Sequence, residues 1–306
     1  MSTETEAIWT DTDEERAARE RRRPFGRWFR ETGWRHLVGV VMIVFAGFPL
    51  LYVLSASLNP SGTLVGSNQL FRAVDLGNYI ELFNRPTLPF ASWFVNTVFI
   101  GIVAAIGTVF LGALAAYAFS RLRFTGRRVG LLSLLLLQMF PQLLGVVAIF
   151  LLLYGIGEIF PALGLGSQLG LIMVYLGGAL GVNTYLMYGF FNTVPKEIDE
   201  AAKIDGASHV QIFFGIILRL VTPILAVIAL LSFVGTASEF VIASVVLTEP
   251  SSQTLAVGLY QLVSNETSKN WTLFSAGAVL AAIPVMLLFV FLQRYIVSGL
   301  TSGAVK

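Results

Sequence analysis

The chain contains no cysteine. That excludes a disulfide framework, thiolate metal sites and a cysteine nucleophile. Histidine is nearly as scarce: His36 and His209 stand far apart, and neither belongs to a His-Glu-x-x-His pair, so a zinc-peptidase site has no ligands to build from. No Gly-x-Ser-x-Gly nucleophile elbow occurs either. The lysines are Lys196, Lys203, Lys269 and Lys306, and none follows a glycine. A phosphate loop needs Gly-Lys-Ser/Thr so that backbone amides and the lysine meet the phosphates together. No cofactor or metal is expected in this chain, and any ATP and magnesium chemistry belongs to another polypeptide.

Charge is the other shortage. Only 12% of the 306 residues are charged, against 56% hydrophobic, where a soluble protein carries roughly 25% charged residues. Mean hydropathy is +0.77. The charges crowd into the N-terminal stretch and a few short segments, leaving apolar runs between them. A hydrocarbon core about 30 Å thick takes about 20 helical residues to cross, and these runs reach that length. The net charge of +2 and pI of 8.9 would suit nucleic acid, but the positions of the charges describe membrane topology, and no nucleic-acid partner is expected.

Hydropathy predicts an all-α membrane protein with six spans, near 37–58, 92–119, 130–154, 169–192, 220–247 and 272–297. Residues 1–36 read as an Arg-rich cytoplasmic tail, disordered in part, residues 37–297 as one six-span domain, and 298–306 as a cytoplasmic C-terminal tail. The first apolar stretch has no small-residue cleavage site and reads as a span, not a signal peptide. Basic residues in short loops mark the cytoplasmic side. With both termini inside, only Arg72, Arg85 and Lys269 of the 20 lysines and arginines fall outside. Trp34, Trp93 and Trp271 sit near span ends, where an interfacial aromatic belt forms. The Gly177/Gly181, Gly277/Ala281 and Ala278/Ala282 pairs have the spacing that lets membrane helices approach closely.

One loop does not look like a connector. Residues 193–219 place Pro195 where a first helical turn tolerates it, then Glu197, Asp199 and Glu200 at the positive end of the helix dipole. Gly206 suits the left-handed residue that ends a helix, and Ala201 and Ala202 give a low surface beside the acids. The loop reads as helix, turn, helix on the cytoplasmic face. The residues alone leave two readings open: an interfacial connector or a docking device.

Glu200-Ala201-Ala202, Gly206, and Ile216 with Leu218 resemble the EAA motif of binding-protein-dependent ABC importer permeases. Tyr117-Ala118-Phe119, Gln138-Met139-Phe140-Pro141, Tyr175-Leu176-Gly177-Gly178, Leu255-Ala256-Val257-Gly258 and the run 299–306 are similar to the MalG-type subunits of maltose/maltodextrin importers. One departure is that Arg219 stands where the motif closes with proline, which appears only at Pro223. The resemblance implies a permease subunit of an ATP-driven carbohydrate importer, multi-pass in the cell (inner) membrane and not itself an enzyme. Its cargo would be maltose or maltodextrin, with trehalose or another glucoside as the alternative. It would form the pore with a MalF-like permease subunit, beside a cytoplasmic ATPase dimer and an extracytoplasmic sugar-binding protein. Glu200, Ala201, Ala202, Asp205 and Gly206 would couple to the ATPase, and Ser302, Gly303 and Lys306 would reach it through the tail. Asn265, Lys269 and Asn270 occupy the place of the loop that enters the binding protein.

Three polar residues within spans remain. Glu239 is costly in hydrocarbon and faces the bundle interior, a partner or water; it lines the pathway or fixes helix packing. Asn183 and Gln138 suit interhelical hydrogen bonds or the pathway. Pro141 and Pro284 are expected to kink their helices. In the resembled subunits sugar contacts come mainly from the partner, so no sugar ligand is nominated here. The rivals are an ion-coupled secondary transporter, which needs its own ion site and an internal repeat, and a membrane enzyme.

Overall fold

The computed structural model describes residues 29–63, 69–264 and 269–302. The chain divides between Tyr52 and Val53 into two units. In the first unit a π-helical turn, Phe29–Gly33, leads into α1 (Trp34–Ser57), and the apolar helix Glu31–Ser57 is 27 residues long. It spans roughly 40 Å at 1.5 Å per residue.

The second unit is a bundle built around α3 (Phe90–Arg121), whose 32 residues extend about 48 Å. The remaining helices are α2 (Gly77–Asn84), α4 (Arg127–Gln138), α5 (Val146–Ile159), α6 (Gln168–Ala179), α7 (Val182–Thr193), α8 (Lys196–Ile204), α9 (His209–Leu220), α10 (Thr222–Ser238), α11 (Val241–Val246), α12 (Leu255–Ser264) and α13 (Trp271–Ser302). Among the described residues three helices are long and apolar enough to cross a membrane, and up to six spans are present if each bent pair counts as one.

The bent pairs show where expectation and structure part. The expected span 130–154 is α4 and α5, bent by 84°. Pro141 stands at that break and opens a short 3-10 turn, Gln142–Gly145. A proline lacks the N–H and crowds the preceding turn, and here it breaks the helix outright. The expected span 169–192 is α6 and α7, bent by 52°, with Gly177, Gly178 and Gly181 at the break. The expected span 220–247 is shorter: α10 starts at Thr222 and stops at Ser238, and α11 follows after Glu239 and Phe240. Pro284, by contrast, lies inside a continuous α13.

Three buried clusters lie along α3. At its start Phe90 and Trp93 pack with Leu255, Leu259, Leu262 and Leu273. Midway Ile100 packs with Leu153, Leu171, Ile172, Ala243 and Val246. At its end Ala113, Ala116 and Tyr117 pack with Met187, Phe191, Ile212, Ile217 and Ile224. Close approach is specified by glycine. A Cβ at Gly101 would lie 2.8 Å from the Phe233 ring, and one at Gly107 2.5 Å from Leu176, distances no real packing tolerates.

One expectation is corrected here. Trp93 is no interfacial anchor: it is 1% exposed, its Nε1 donates to the Pro250 carbonyl at 2.7 Å, and a Cβ at Gly258 would meet its ring at 2.2 Å. Of the small residues spaced for close approach, Gly277 packs against Leu259, where a Cβ would lie 2.3 Å away, while a Cβ at Gly177 would meet nothing within 4 Å inside this chain.

The end of α1, α2 and the first turn of α13 share a polar lattice. Asn78 Nδ2 donates to the Ser57 and Asn59 carbonyls, both at 2.9 Å, and Thr272 Oγ1 donates to Asn78 Oδ1 at 3.3 Å. This end carries Arg72, Arg85 and Lys269; the opposite end carries α8.

Candidate functional site

The helix-turn-helix of α8 and α9 is built by local signals that all agree. Pro195 precedes α8, and Glu197 and Asp199 lie in its first turn, where negative charge meets the unpaired N–H groups. Gly206 ends it at φ +86°. Its N–H donates to Lys203 O at 3.0 Å and that of Ala207 to Ala202 O at 2.9 Å, the paired bonds of a Schellman end. Ser208 then opens α9 with a capping box. Its hydroxyl accepts from the Gln211 N–H at 3.4 Å, and its own N–H donates to Gln211 Oε1 at 2.8 Å, satisfying two orphan donors reciprocally.

Packing divides α8 into two faces. Ile198 and Ala202 turn inward onto the cluster of Tyr117, Phe191, Val194 and Ile212. Ala202 is 8% exposed, so it does not share the surface expected beside Ala201. Asp199 is buried too, and its carboxylate pairs with the guanidinium of Arg121 at the last turn of α3. Arg121 Nη2 also donates to Val194 O at 2.8 Å, so one side chain ties α3 to both the approach and the first turn of α8. Sequence reasoning assigned Arg121 only to the cytoplasmic charge count and Asp199 only to the helix dipole. The separation of 78 residues hides the pair; the signal that was available is the spacing of Asp199 and Ala202, which puts them on one helical face.

The outward face carries Glu200, Ala201, Ile204, Asp205 and Gly206, all exposed. Ile204 is 86% exposed at the end of the helix. His209, read as a solvated surface residue, is exposed but anchored: its Nδ1 lies 3.2 Å from the Tyr117 hydroxyl, and the Tyr117 ring meets Phe213 edge-on at 5.1 Å. Arg219 lies in the last turn of α9, where a cation suits the helix dipole. Pro223 lies in the first turn of α10, after a 79° bend. With arginine in place of the motif proline, α9 runs on to Leu220, its middle, Ile212–Ile217, wound as a π-helix.

The polar residues within the spans separate. Glu239 stands at the break between α10 and α11. Its Oε1 accepts from the Ile242 N–H at 2.8 Å, and its Oε2 from the Ala243 N–H at 2.9 Å and the Tyr175 hydroxyl at 2.8 Å. The carboxylate thus caps α11 and ties it to α6. Gln138 Nε2 donates to Gly178 O at 2.6 Å and presses against Gly181, closing one bent pair onto the other. Asn183 and Glu239 both line a cavity of about 640 Å³, with Tyr175, Ser232 and Thr236; Gln138 does not. Asn270 Oδ1 accepts from the Leu273 N–H at 2.9 Å and so caps α13, while Lys269 is exposed. Ser302 is the last residue of α13; Asn265, Gly303, Lys306 and the N-terminal tail through residue 28 lie outside the described residues.

Spans around a cavity, with a stiffly held helix presenting an apolar side chain beyond them, are the architecture of a membrane transport subunit. The family of binding-protein-dependent transport system inner membrane components matches residues 108–302. The chain is 41% identical over 272 residues to the galactooligosaccharides transport system permease protein GanQ of Bacillus subtilis (strain 168), covering 89% of this chain and 94% of the relative. It is 37% identical over 287 residues to the maltose/maltodextrin transport system permease protein MalG of Photorhabdus laumondii subsp. laumondii, covering 89% and 96%. A solved bacterial ABC transporter involved in the import of the acidic polysaccharide alginate contains a chain similar at a TM-score of 0.72 and 26% identity, covering 88% of this chain and 98% of that one. The chain belongs to the binding-protein-dependent transport system inner membrane components, and is a permease subunit of an ABC transporter.

Proposed function

We propose that this permease imports a neutral oligosaccharide, of the maltodextrin or galactooligosaccharide class, and receives its driving force through α8. The relatives named for those sugars, at 41% and 37% identity, support the cargo class; a glucoside such as trehalose is the next reading. Both termini lie in the cytoplasm, a MalF-like subunit completes the pore, and an extracytoplasmic sugar-binding protein delivers cargo at the end carrying Lys269. A cytoplasmic ATPase dimer holds the ATP and magnesium.

The observation that carries the coupling role is Ile204. A side chain 86% exposed on a helix otherwise fixed by a buried ion pair and a Schellman end is an apolar knob on a rigid mount. Such anchors fill pockets on partners and carry most of an interface's energy. Glu200, Ala201, Asp205 and Gly206 surround it, and Ser302, Gly303 and Lys306 extend the contact from the C-terminal tail. ATP binding draws the paired α8 helices together, and the bent spans rock to open the pore outward. Ligands with different affinity for the two states shift that equilibrium, and ATP and the loaded binding protein both favour the outward one.

The test is Ile204→Asp in the assembled importer. It is expected to weaken docking by about 2 kcal/mol, the size of an interface hot spot, so that ATP-driven uptake collapses while the subunit stays inserted. Normal uptake at normal expression overturns the coupling role. Uptake assays with labelled maltotriose, galactotriose and trehalose decide the cargo.

A further inference from the structure

We infer that the cavity of about 640 Å³ is a saccharide subsite belonging to this subunit, placed where three broken helices meet. This rests on the reading as an oligosaccharide importer and assigns the recognition chemistry. The volume lies within the range of roughly 300–1,000 Å³ that small-ligand sites occupy. Its position is the first argument. The lining includes Gly145 at the α4–α5 break, Gly177, Gly178 and Asn183 at the α6–α7 break, and Glu239 at the α10–α11 break. Non-helical backbone at membrane depth persists only where it is buried in protein or lines a water-filled cavity, and here three interruptions open on one space.

The second argument is that the space is held open by residue choice. A Cβ built on Gly145, Gly177 or Gly235 would meet nothing within 4 Å. Alanine would fit at each, and inside a helix it is favoured over glycine by roughly 0.5–1 kcal/mol. Close packing therefore does not require these glycines, and their absent side chains enlarge the cavity.

The polar groups identify the ligand. Both oxygens of the Glu239 carboxylate are already engaged by the Ile242 and Ala243 N–H groups and the Tyr175 hydroxyl. Among the described residues no group of three or more His, Cys, Asp or Glu side chains is placed to hold a metal ion. The carboxylate is thus a fixed part of the wall and not the start of a cation cage. Asn183, Ser232 and Thr236 also line the cavity, and none of their side chains hydrogen-bonds another described residue. They offer an amide and two hydroxyls, both donors and acceptors without net charge. Ile149, Leu152 and Met173 line the same cavity. Uncharged hydrogen-bonding groups and apolar side chains lining one space match a sugar ring, which has hydroxyls at its edge and C–H groups on its faces.

The test uses the complete importer in proteoliposomes, supplied with whichever of maltotriose, galactotriose or trehalose the unmodified complex takes up. The native chain has no cysteine, so Gly235→Cys gives one thiol at the cavity wall. The transported sugar is expected to slow maleimide labelling at Gly235→Cys by about three- to tenfold, and to leave labelling at Arg123→Cys, exposed in the loop after α3, unchanged. Asn183→Ala and Thr236→Val each remove one hydrogen bond, which corresponds to a rise in uptake KM of about three- to tenfold with a smaller change in maximal rate. Equal labelling with and without sugar, together with unchanged KM in both variants, overturns the subsite while leaving the importer reading intact. A wild-type complex that takes up none of the sugars overturns both.

Discussion

Asp199 and Arg121 show how one residue's meaning changes when its neighbour is known. A carboxylate in the first turn of a helix would, by itself, gain at most about 1 kcal/mol from the dipole when exposed. Here its side chain is 7% exposed and that of Arg121 5%, so each depends on the other. Removing one member of a buried pair leaves an uncompensated charge and costs about 3–5 kcal/mol. Asp199→Ala is therefore expected to lower the unfolding temperature of the purified subunit markedly, read by fluorescence-detected size exclusion after heating. An apolar double replacement, Arg121→Met with Asp199→Leu, is expected to recover part of that loss, because well-packed hydrophobic groups often replace a buried pair without penalty. A double variant as unstable as the single one removes the ion pair as the cause. The sequence showed that both residues carry charge on the same side of the membrane. It could not show that α3 ends beside the first turn of α8, since that is a tertiary fact.

The α8–α9 element was far more legible, because its punctuation is local. Pro195, the acids of the first turn, Gly206 and Ser208 each act within four residues, and the helix, turn and second helix lie where those signals put them. What local signals do not fix is the inward face: Ala202 joins the core beneath while Ala201 stays outside, a choice made by the packing of α3, α7 and α9. The breaks in the spans were half legible. Pro141 announced a kink and gives a break; nothing in the hydropathy separated α10 from α11, since Ser238 and Glu239 are short interruptions in an apolar run. Gly206 offers a clean test at this scale. Its φ of +86° costs other residues roughly 1–2 kcal/mol, yet a Cβ there meets nothing within 4 Å, so the penalty is conformational and not steric. Asparagine enters the left-handed region most readily among the rest, and β-branched residues least. ATP-coupled uptake should therefore fall in the order Gly206→Asn, Gly206→Ala, Gly206→Val. Equal loss for all three points instead to direct contact between the glycine and the ATPase.

At the scale of the molecule, the apolar runs gave the number of spans when bent pairs are taken together, and the basic residues gave a direction. The structure adds that the two charge populations sit at opposite ends of the same bundle. α3 begins at Phe90, beside the clusters that hold Leu82 and Leu273, and ends at Arg121, paired with Asp199. Arg127 belongs to the latter end as well, its Nη2 donating to the Tyr188 hydroxyl at 3.4 Å. The opposite end is tied by the Trp271 N–H to Gly62 O at 3.1 Å and carries Arg72 and Lys269. If Lys and Arg mark the cytoplasmic side, the end bearing α8 faces the ATPase. Single cysteines in this cysteine-free chain read the orientation directly. Ile204→Cys and Arg123→Cys are expected to react with an impermeant maleimide only in inside-out vesicles, and Arg72→Cys and Lys269→Cys only in right-side-out cells or spheroplasts. All four side chains are exposed in the structure, so a failure to label would not reflect burial within the chain. The reverse pattern would place α8 outside the cell and sever it from any cytoplasmic ATPase. Labelling of Arg123→Cys, Ile204→Cys and Lys269→Cys from one side and of Arg72→Cys from the other would mean that the bent pairs do not cross the bilayer as single spans.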